Sequence, residues 1–284
     1  MNDMKNSPVS EPALEAPYDL IMFDMDGTLL PLEVRDFLAP YYELLVAAAD
    51  RDGLDAQRLR NAVNKGIFGM YDHPTSETNE TAFWRVFYAS YFDGNPVDQQ
   101  QKDRFYRFFT DFYIHEFNKA GEGVEPNPAA RRAIEALAAK GYPLYLTTMP
   151  MFPLSAIEWR MKWADAPIEP FCRVTTFDNS TAVKPHLAYY EENLALADVP
   201  ANRILMVGNN TEDDMAAMQV GMDVFLVTDY LINQNEFEVS AVKHGSLEEF
   251  ADWASGLPAC TSTRALSWQD RADELRIGGA GALK

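Results

Sequence analysis

The sequence has few cysteines, few basic residues and no long apolar run. Its 284 residues include only two cysteines, Cys172 and Cys260, and neither has cysteine or histidine neighbours at metal-binding spacing. We therefore expect unpaired thiols in a reducing, cytoplasmic compartment rather than a disulfide framework. Because no run of about 18 uncharged apolar residues is present, we expect no membrane-spanning helix.

The shortage of positive charge limits the classes of partner. The chain carries 24 Lys and Arg residues against 43 Asp and Glu residues, which gives a net charge of −19. The negative electrostatic field of such a chain repels phosphate polymers. We therefore expect neither nucleic acid nor an anionic membrane surface as a partner. A small phosphorylated ligand would need a local site that attracts it. The hydrophobic share of 47% is ample for a buried core.

The most informative segment is an apolar run over residues 20–23 that is followed by Asp24 and Asp26. A short run that is apolar on both faces is typical of a strand buried in a parallel sheet, and ligands bind beyond the carboxyl ends of such strands. Side chains two positions apart on an extended chain point to the same side, so the two carboxylates converge. This pairing indicates a divalent cation, a nucleophile beside a general acid/base, or both.

From residue 124 onward, helix and strand signals alternate, which predicts an α/β fold with a Rossmann-like, doubly wound parallel sheet. After the first strand, the predicted strands are 143–148, 173–177, 203–207 and 224–227. The predicted helices are 128–140, 154–164, 185–197 and 212–220. A further short helical pattern covers 268–276.

Residues 31–123 show helical periodicity and little strand signal, which predicts an all-helical insertion in the α/β domain. The insertion follows the first strand at the end where a ligand binds, so we expect it to act as a cap or lid. Its aromatic stripes are expected to pack helix on helix. The predicted division is a flexible leader over 1–17, a catalytic core over 18–32 and 124–260, a helical cap over 33–123 and a tail over 261–284.

Three more polar segments follow later predicted strands and complete a set of four. The four segments are Asp24 to Thr28, Leu146 to Thr148, Lys184 with Pro185, and Gly208 to Asp214. In this order they resemble the haloacid dehalogenase-like (HAD) superfamily over residues 18–228, and the helical insertion resembles its C1-type cap. The resemblance implies a hydrolase with a nucleophile strand, a Thr or Ser on the second strand, a Lys before a helix and an acidic loop for magnesium.

The first segment supplies the reacting carboxylates in this comparison. Asp24 is a competent nucleophile toward phosphorus and would form an aspartyl-phosphate. Asp26 would protonate the leaving oxygen and later take a proton from the attacking water. Family members that displace halide resemble this segment but lack the second aspartate, so Asp26 favours phosphoryl transfer.

The second and third segments supply phosphate contacts. Thr148 and neighbouring N–H groups would hold the phosphate oxygens, and Thr147 is a weaker candidate because alternation along a strand points it elsewhere. Lys184 precedes Pro185 at the start of a predicted helix, where its ammonium would neutralise both phosphate and Asp24.

The fourth segment departs from the commonest family pattern, because Asn209 stands where an aspartate follows the glycine. An amide carbonyl can still bind magnesium, and a nearby carboxylate can supply the missing charge directly or through water. We expect Mg²⁺ to be held by the Asp24 carboxylate, the Asp26 backbone carbonyl and Asn209, with Asp214 next in line.

Taken together, these features predict a Mg²⁺-dependent phosphatase that acts on a small phosphorylated metabolite, a phosphate monoester. A phosphomutase with the same aspartyl chemistry remains an alternative. So does a low-turnover sensor of a phosphate ligand, for which Asn209 is the main support. The sequence gives no expectation for the physiological substrate or the oligomeric state.

Overall fold

The computed structural model describes residues 15–261, which contain eight α helices and six β strands. The strands are β1 (Leu20–Phe23), β2 (Leu144–Leu146), β3 (Phe171–Val174), β4 (Ile204–Gly208), β5 (Asp223–Val227) and β6 (Lys243–Gly245). The helices are α1 (Val34–Arg51), α2 (Ala56–Gly69), α3 (Asn79–Tyr91), α4 (Gln99–His115), α5 (Pro128–Ala139), α6 (Leu154–Trp163), α7 (Leu187–Ala197) and α8 (Leu247–Gly256). Short 3₁₀ segments lie at Phe117–Gly121, Ala201–Arg203, Met215–Val220 and Val239–Ala241.

All six strands form one parallel sheet in the order β3-β2-β1-β4-β5-β6. Strand β1 is central and pairs on one side with β2, where Ile21 lies opposite Leu144, and on the other with β4, where Leu20 lies opposite Ile204. The chain changes direction across the sheet between β1 and β4, which creates the crevice where such folds bind ligands. The predicted Rossmann-like, doubly wound α/β fold is confirmed.

Alternation along β1 explains why its run is apolar on both faces. Ile21 and Phe23 lie in the cluster formed with α5, α6 and α8, whereas Leu20 and Met22 lie in the cluster formed with α7. All four side chains are buried because helices cover both faces of the sheet.

Several predicted bounds require correction. Helix α7 begins at Leu187 with His186 at its N-cap, so Lys184 precedes the helix rather than capping it. The helix predicted over 212–220 is a 3₁₀ segment limited to Met215–Val220, and it ends at Gly221, whose φ is +90°. Strand β3 lies earlier than the predicted 173–177, and β6 and α8 were not predicted at all.

Helices α1 to α4 and the segment Phe117–Gly121 form the insertion between β1 and α5, and no strand lies among residues 33–123. The insertion contributes most of an apolar cluster that includes Phe87 and Phe112, as the aromatic stripes indicate, and that extends to Ala156 and Val183 outside it. We call residues 33–123 the helical insertion. Its bounds as a separate domain, its C1 type and its action as a lid stay predictions.

The helical insertion is joined to the sheet domain at the start of α3. The side chain of Asn79 is buried, and its amide donates to the carbonyls of Pro150 at 3.0 Å and Ala182 at 3.1 Å. The backbone N–H of Asn79 donates to the carbonyl of Ser180 at 2.9 Å. This one residue therefore contacts the segments that follow β2 and β3.

The predicted leader and tail lie mostly outside the described residues, as does the helical pattern at 268–276. Only residues 15–17 of the predicted leader are described. Among them Ala16 is buried, and its carbonyl accepts a hydrogen bond from Arg203 at 2.8 Å. Cys172 and Cys260 are both buried and no disulfide joins them, as expected. None of the helices between residues 15 and 261 combines the length and apolarity needed to cross a bilayer.

Candidate active site

The loop after β1 brings Asp24 and Asp26 to the carboxyl edge of the sheet. The backbone N–H of Asp24 donates to the carbonyl of Val207 at 2.8 Å, which continues the pairing of β1 with β4. The chain then turns sharply, since the N–H groups of Leu29 and Leu30 both donate to the carbonyl of Met25 at 2.9 and 2.8 Å. The Asp24 side chain is buried, whereas Asp26 is partly exposed.

Gly27 allows this loop to lie directly against the loop after β4. Its φ is +77°, and a β carbon at this position would lie 2.2 Å from Nδ2 of Asn209. That amide nitrogen donates to the carbonyl of Tyr230 at 2.6 Å, so Asn209 is fixed with its oxygen on the other side. A residue with a side chain at position 27 would displace Asn209.

Lys184 connects the first and fourth segments. Its ammonium nitrogen lies 2.8 Å from Oδ1 of Asp24 and 2.7 Å from Oδ1 of Asp214, and the residue is only 1% exposed. Burial by itself lowers the pKa of Lys184, but the carboxylates of Asp214 and Asp24 outweigh it and raise the pKa well above its usual value. Lys184 is therefore positively charged at neutral pH and holds Asp24 in place, although it does not cap α7.

Asp214 is fully engaged by its neighbours. One oxygen accepts from Lys184, and the other accepts from the backbone N–H groups of Asn209 at 3.0 Å and Asn210 at 2.9 Å. Burial raises the pKa of Asp214 to about 7, and the charge of Lys184 and the N–H of Asn210 offset this rise only in part. Asp214 therefore anchors Lys184 and the loop after β4, and its place next in line as a metal ligand stays a prediction.

Side-chain oxygens of Asp24, Thr28 and Asn209 lie close together where the loop after β1 meets the loop after β4. The Thr28 hydroxyl lies 3.3 Å from Oδ2 of Asp24 and 3.1 Å from Oδ1 of Asn209. Carboxylate and amide oxygens are hard donors of the kind that Mg²⁺ prefers, so the donors of Asp24 and Asn209 fit this ion. Within residues 15–261 no group of three or more His, Cys, Asp or Glu side chains could hold a metal.

Asp26 contacts Arg160 of α6, a residue that the sequence analysis missed. The guanidinium Nε donates to Oδ1 of Asp26 at 3.2 Å, and Nη2 contacts Oδ2, which makes the pair two-pronged. The guanidinium also lies over the ring of Phe37 at 5.7 Å and that of Phe152 at 5.2 Å. Burial lowers the pKa of Arg160 to about 9, so it stays charged at neutral pH.

The two threonines after β2 have different surroundings. Thr147 directly follows β2 and donates its hydroxyl to the carbonyl of Phe23 at 3.2 Å, and its role as the weaker phosphate contact stays a prediction. The Thr148 hydroxyl is buried and has no hydrogen-bond partner among the described residues, while its carbonyl accepts from Thr175 at 2.8 Å and from Tyr189 at 2.9 Å. An unsatisfied buried hydroxyl is costly, which favours a site that a ligand oxygen completes.

Residues 18–221 match the haloacid dehalogenase-like hydrolase family. The match covers well over half of the chain, so the protein belongs to this family and is a HAD-like hydrolase. The resemblance noted in the sequence is confirmed at the level of the family. A comparison with curated proteins gives no match.

The chain is similar to several solved structures. The chain is similar to a 2-haloacid dehalogenase from Pseudomonas syringae pv. Tomato, with 16% identity, a TM-score of 0.56, and coverage of 83% of this chain and 97% of that one. An HAD phosphatase from Thermococcus onnurineus matches with 18% identity, a TM-score of 0.47, and coverage of 85% and 99%. A predicted phosphoglycolate phosphatase from Haemophilus somnus 129pt matches with 18% identity, a TM-score of 0.48, and coverage of 84% and 98%.

Proposed function

We propose that this hydrolase is a Mg²⁺-dependent phosphatase that acts on a small phosphate monoester. The observation that carries the proposal is the position of Asp24, a carboxylate at the carboxyl end of the central strand that Lys184 holds at 2.8 Å, with Asp26 two residues further on. Because family members that displace halide lack the second aspartate, the presence of Asp26 favours phosphoryl transfer over dehalogenation.

The proposed reaction has two steps. A carboxylate oxygen of Asp24 attacks phosphorus and the bond to the leaving oxygen breaks, while protonated Asp26 donates its proton to that oxygen. Water then attacks the phosphorus of the aspartyl-phosphate, Asp26 accepts a proton from the water, and the Asp24 carboxylate is released with phosphate. Each step leaves Asp26 in the protonation state that the next step requires.

Arg160 and Asp26 form a pair that bears on this cycle. The guanidinium contacts both oxygens of Asp26 and favours the ionised carboxylate, which is the form that accepts a proton from water. Donation to a leaving group requires protonated Asp26, so the pair must loosen in the first step. Arg160 is therefore proposed as a positioning residue that controls when Asp26 carries its proton.

The phosphate would be held by groups on three segments. The buried Thr148 hydroxyl supplies a donor, and Lys184 supplies a positive charge. The Asp24 carboxylate, the side-chain carbonyl of Asn209 and the backbone carbonyl of Asp26 would hold Mg²⁺, which supplies charge neutralisation for the phosphate oxygens when bound.

The experiment is phosphate release from a panel of phosphate monoesters by the purified full chain with Mg²⁺, run beside an EDTA control. We expect metal-dependent release that Asp24→Asn abolishes, and a phosphoryl adduct in the intact mass of the wild-type chain after rapid quenching. Asp50→Asn, which changes an exposed aspartate on α1, is the matched control and should keep full activity.

Other outcomes would identify the alternatives. Substantial residual release by Asp24→Asn would rule out Asp24 as the nucleophile. Conversion of a sugar phosphate without phosphate release would indicate a mutase. Binding of phosphate or a metal fluoride without turnover would indicate a sensor, and metal-independent release of halide from a 2-haloacid would indicate a dehalogenase.

A further inference from the structure

A cavity of about 350 Å³ lies beside the candidate active site, between the helical insertion and the segment that follows β2. Its walls come from α3 and α4 on one side and from residues 151–155, Phe177 and Asp178 on the other. The volume is in the range of small-ligand sites. Its lining includes none of Asp24, Asp26, Thr148 or Lys184. The cavity is therefore separate from the candidate active site.

Aromatic rings line the cavity on both sides. The Trp84 ring lies 5.6 Å from that of Phe109 and 6.5 Å from that of Tyr106, and the Phe83 ring lies 6.4 Å from that of Phe177. All five residues line the cavity. Aromatic faces carry partial negative charge, so a group of them attracts a cation as well as apolar surface.

The charged residues of the lining are all acidic. Glu80 and Asp178 are partly buried, Glu158 is exposed, and no Lys, Arg or His lines the cavity. Burial raises the pKa of Glu80, a hydrogen bond from the indole N–H of Trp84 at 3.2 Å opposes this rise, and the nearby charge of Asp178 adds to it. Burial also raises the pKa of Asp178. Within the described residues neither of these two carboxylates forms an ion pair, so both lack a positive partner.

We infer that this cavity binds an organic cation, an ammonium group that carries small alkyl substituents. Its charge would balance Glu80 and Asp178, and its alkyl surface would contact the ring of Trp84 and its aromatic neighbours. An anionic ligand would meet only like charge here. A neutral apolar ligand would leave the two carboxylates without a counter-charge.

Phe152 places the cavity close to the catalytic groups. The residue lines the cavity, and its ring lies 5.2 Å from the guanidinium of Arg160, which contacts Asp26. The ammonium group could therefore belong to the far end of a phosphorylated substrate or to a separate effector. The substrate assignment rests on the proposed function, whereas cation binding does not.

The test uses choline as the cationic probe and 3,3-dimethyl-1-butanol as its neutral isostere, with binding to the full chain measured by calorimetry. We expect choline to bind about tenfold more tightly than the isostere, in line with the strength of cation–aromatic contacts. Glu80→Gln and Asp178→Asn should each weaken choline binding by about the same factor and leave binding of the isostere unchanged.

Asp111→Asn is the matched control, because Asp111 lies on α4 and does not line the cavity. This variant should bind choline like the wild type. Thermal melts show whether the variants fold, and Glu80→Gln should not lower the melting temperature since it removes repulsion between two carboxylates. Equal binding of choline and its isostere, or equal weakening by Asp111→Asn, would overturn the inference.

Because binding needs no turnover, the same titration on Asp24→Asn separates this inference from the proposed phosphatase activity. Choline binding by a wild-type chain that releases no phosphate from any monoester of the panel would keep the cation site and reject the phosphatase. If the enzyme is active, a rise in KM with unchanged kcat on adding choline assigns the site to the substrate. A fall in kcat assigns it to an effector.

Discussion

Replacement of Lys184 by methionine tests whether buried charge organises the candidate site. The side chain lies between the carboxylates of Asp24 and Asp214, at 2.8 and 2.7 Å from the nearest oxygens. Lys184→Met keeps a similar unbranched chain and removes only the ammonium group. It therefore leaves two carboxylates close together without their common counter-charge.

Breaking a buried ion pair by removing one partner costs about 3–5 kcal/mol. Asp214 bears most of this cost because it is 1% exposed, whereas Asp24 is 8% exposed at the edge of the site. Two backbone N–H groups still bond to Asp214 in the variant. We therefore expect a loss near the lower end, about 3 kcal/mol in the free energy of unfolding.

The loss should depend on pH. Without Lys184, burial raises the pKa of the Asp214 carboxyl further above its value in the unfolded chain. A carboxyl whose pKa is raised on folding stabilises the folded state at low pH, and this contribution is lost as the pH rises through the folded pKa. The free energy of unfolding that Lys184→Met loses relative to the wild type should therefore be smaller at about pH 5 than at about pH 8.

Urea denaturation followed by circular dichroism at the two pH values measures these differences. Lys243→Met is the matched control, because Lys243 also contacts a carboxylate, that of Asp223, but is exposed. The control should lose at most about 1 kcal/mol. A loss in Lys184→Met no larger than that of the control, or a loss independent of pH, would refute this reasoning.

Three further substitutions test the loops and the proton-transfer pair. Gly27→Ala should lower stability by more than about 1 kcal/mol in thermal melts, because φ is +77° and the new methyl group meets Asn209. Gly53→Ala, at φ +67° with open space around it, should lose less, and an equal loss would discount the clash. Arg160→Met should move the acidic limb of the kcat–pH profile to higher pH, since the ionised form of Asp26 loses its partner. An unmoved limb would remove Arg160 from proton control. Asn209→Asp should lower the Mg²⁺ concentration needed for half-maximal phosphate release by adding a carboxylate donor. An unchanged or raised requirement would count against Asn209 as a ligand.

The central strand could be predicted from the sequence because its own residues indicate that both of its faces are buried. Leu20–Phe23 is apolar on both faces and is followed by charge, so burial within the sheet and the start of the loop both follow from the pattern. The approach of Asp24 and Lys184, 160 positions apart, is expected only because the four segments in their order resemble the HAD family.

Other elements left no local signal. Strand β6, Lys243–Gly245, is short and polar, and it forms through backbone pairing with β5 rather than through side-chain alternation. Arg160 lies in the middle of α6 with no motif around it, and only tertiary packing brings it to Asp26. The two oxygens of Asp214 accept from Lys184 and from backbone N–H groups, an arrangement that no local sequence pattern indicates.

The attachment of Asn79 to the sheet domain makes the two parts poor candidates for separate expression. A fragment without the helical insertion would leave the carbonyls of Pro150 and Ala182 without the Asn79 amide. It would also uncover the rings of Phe152 and Phe177, which now lie against aromatic residues of the helices. An exposed apolar patch of this kind promotes aggregation. A soluble truncated core would therefore require polar replacements at both phenylalanines.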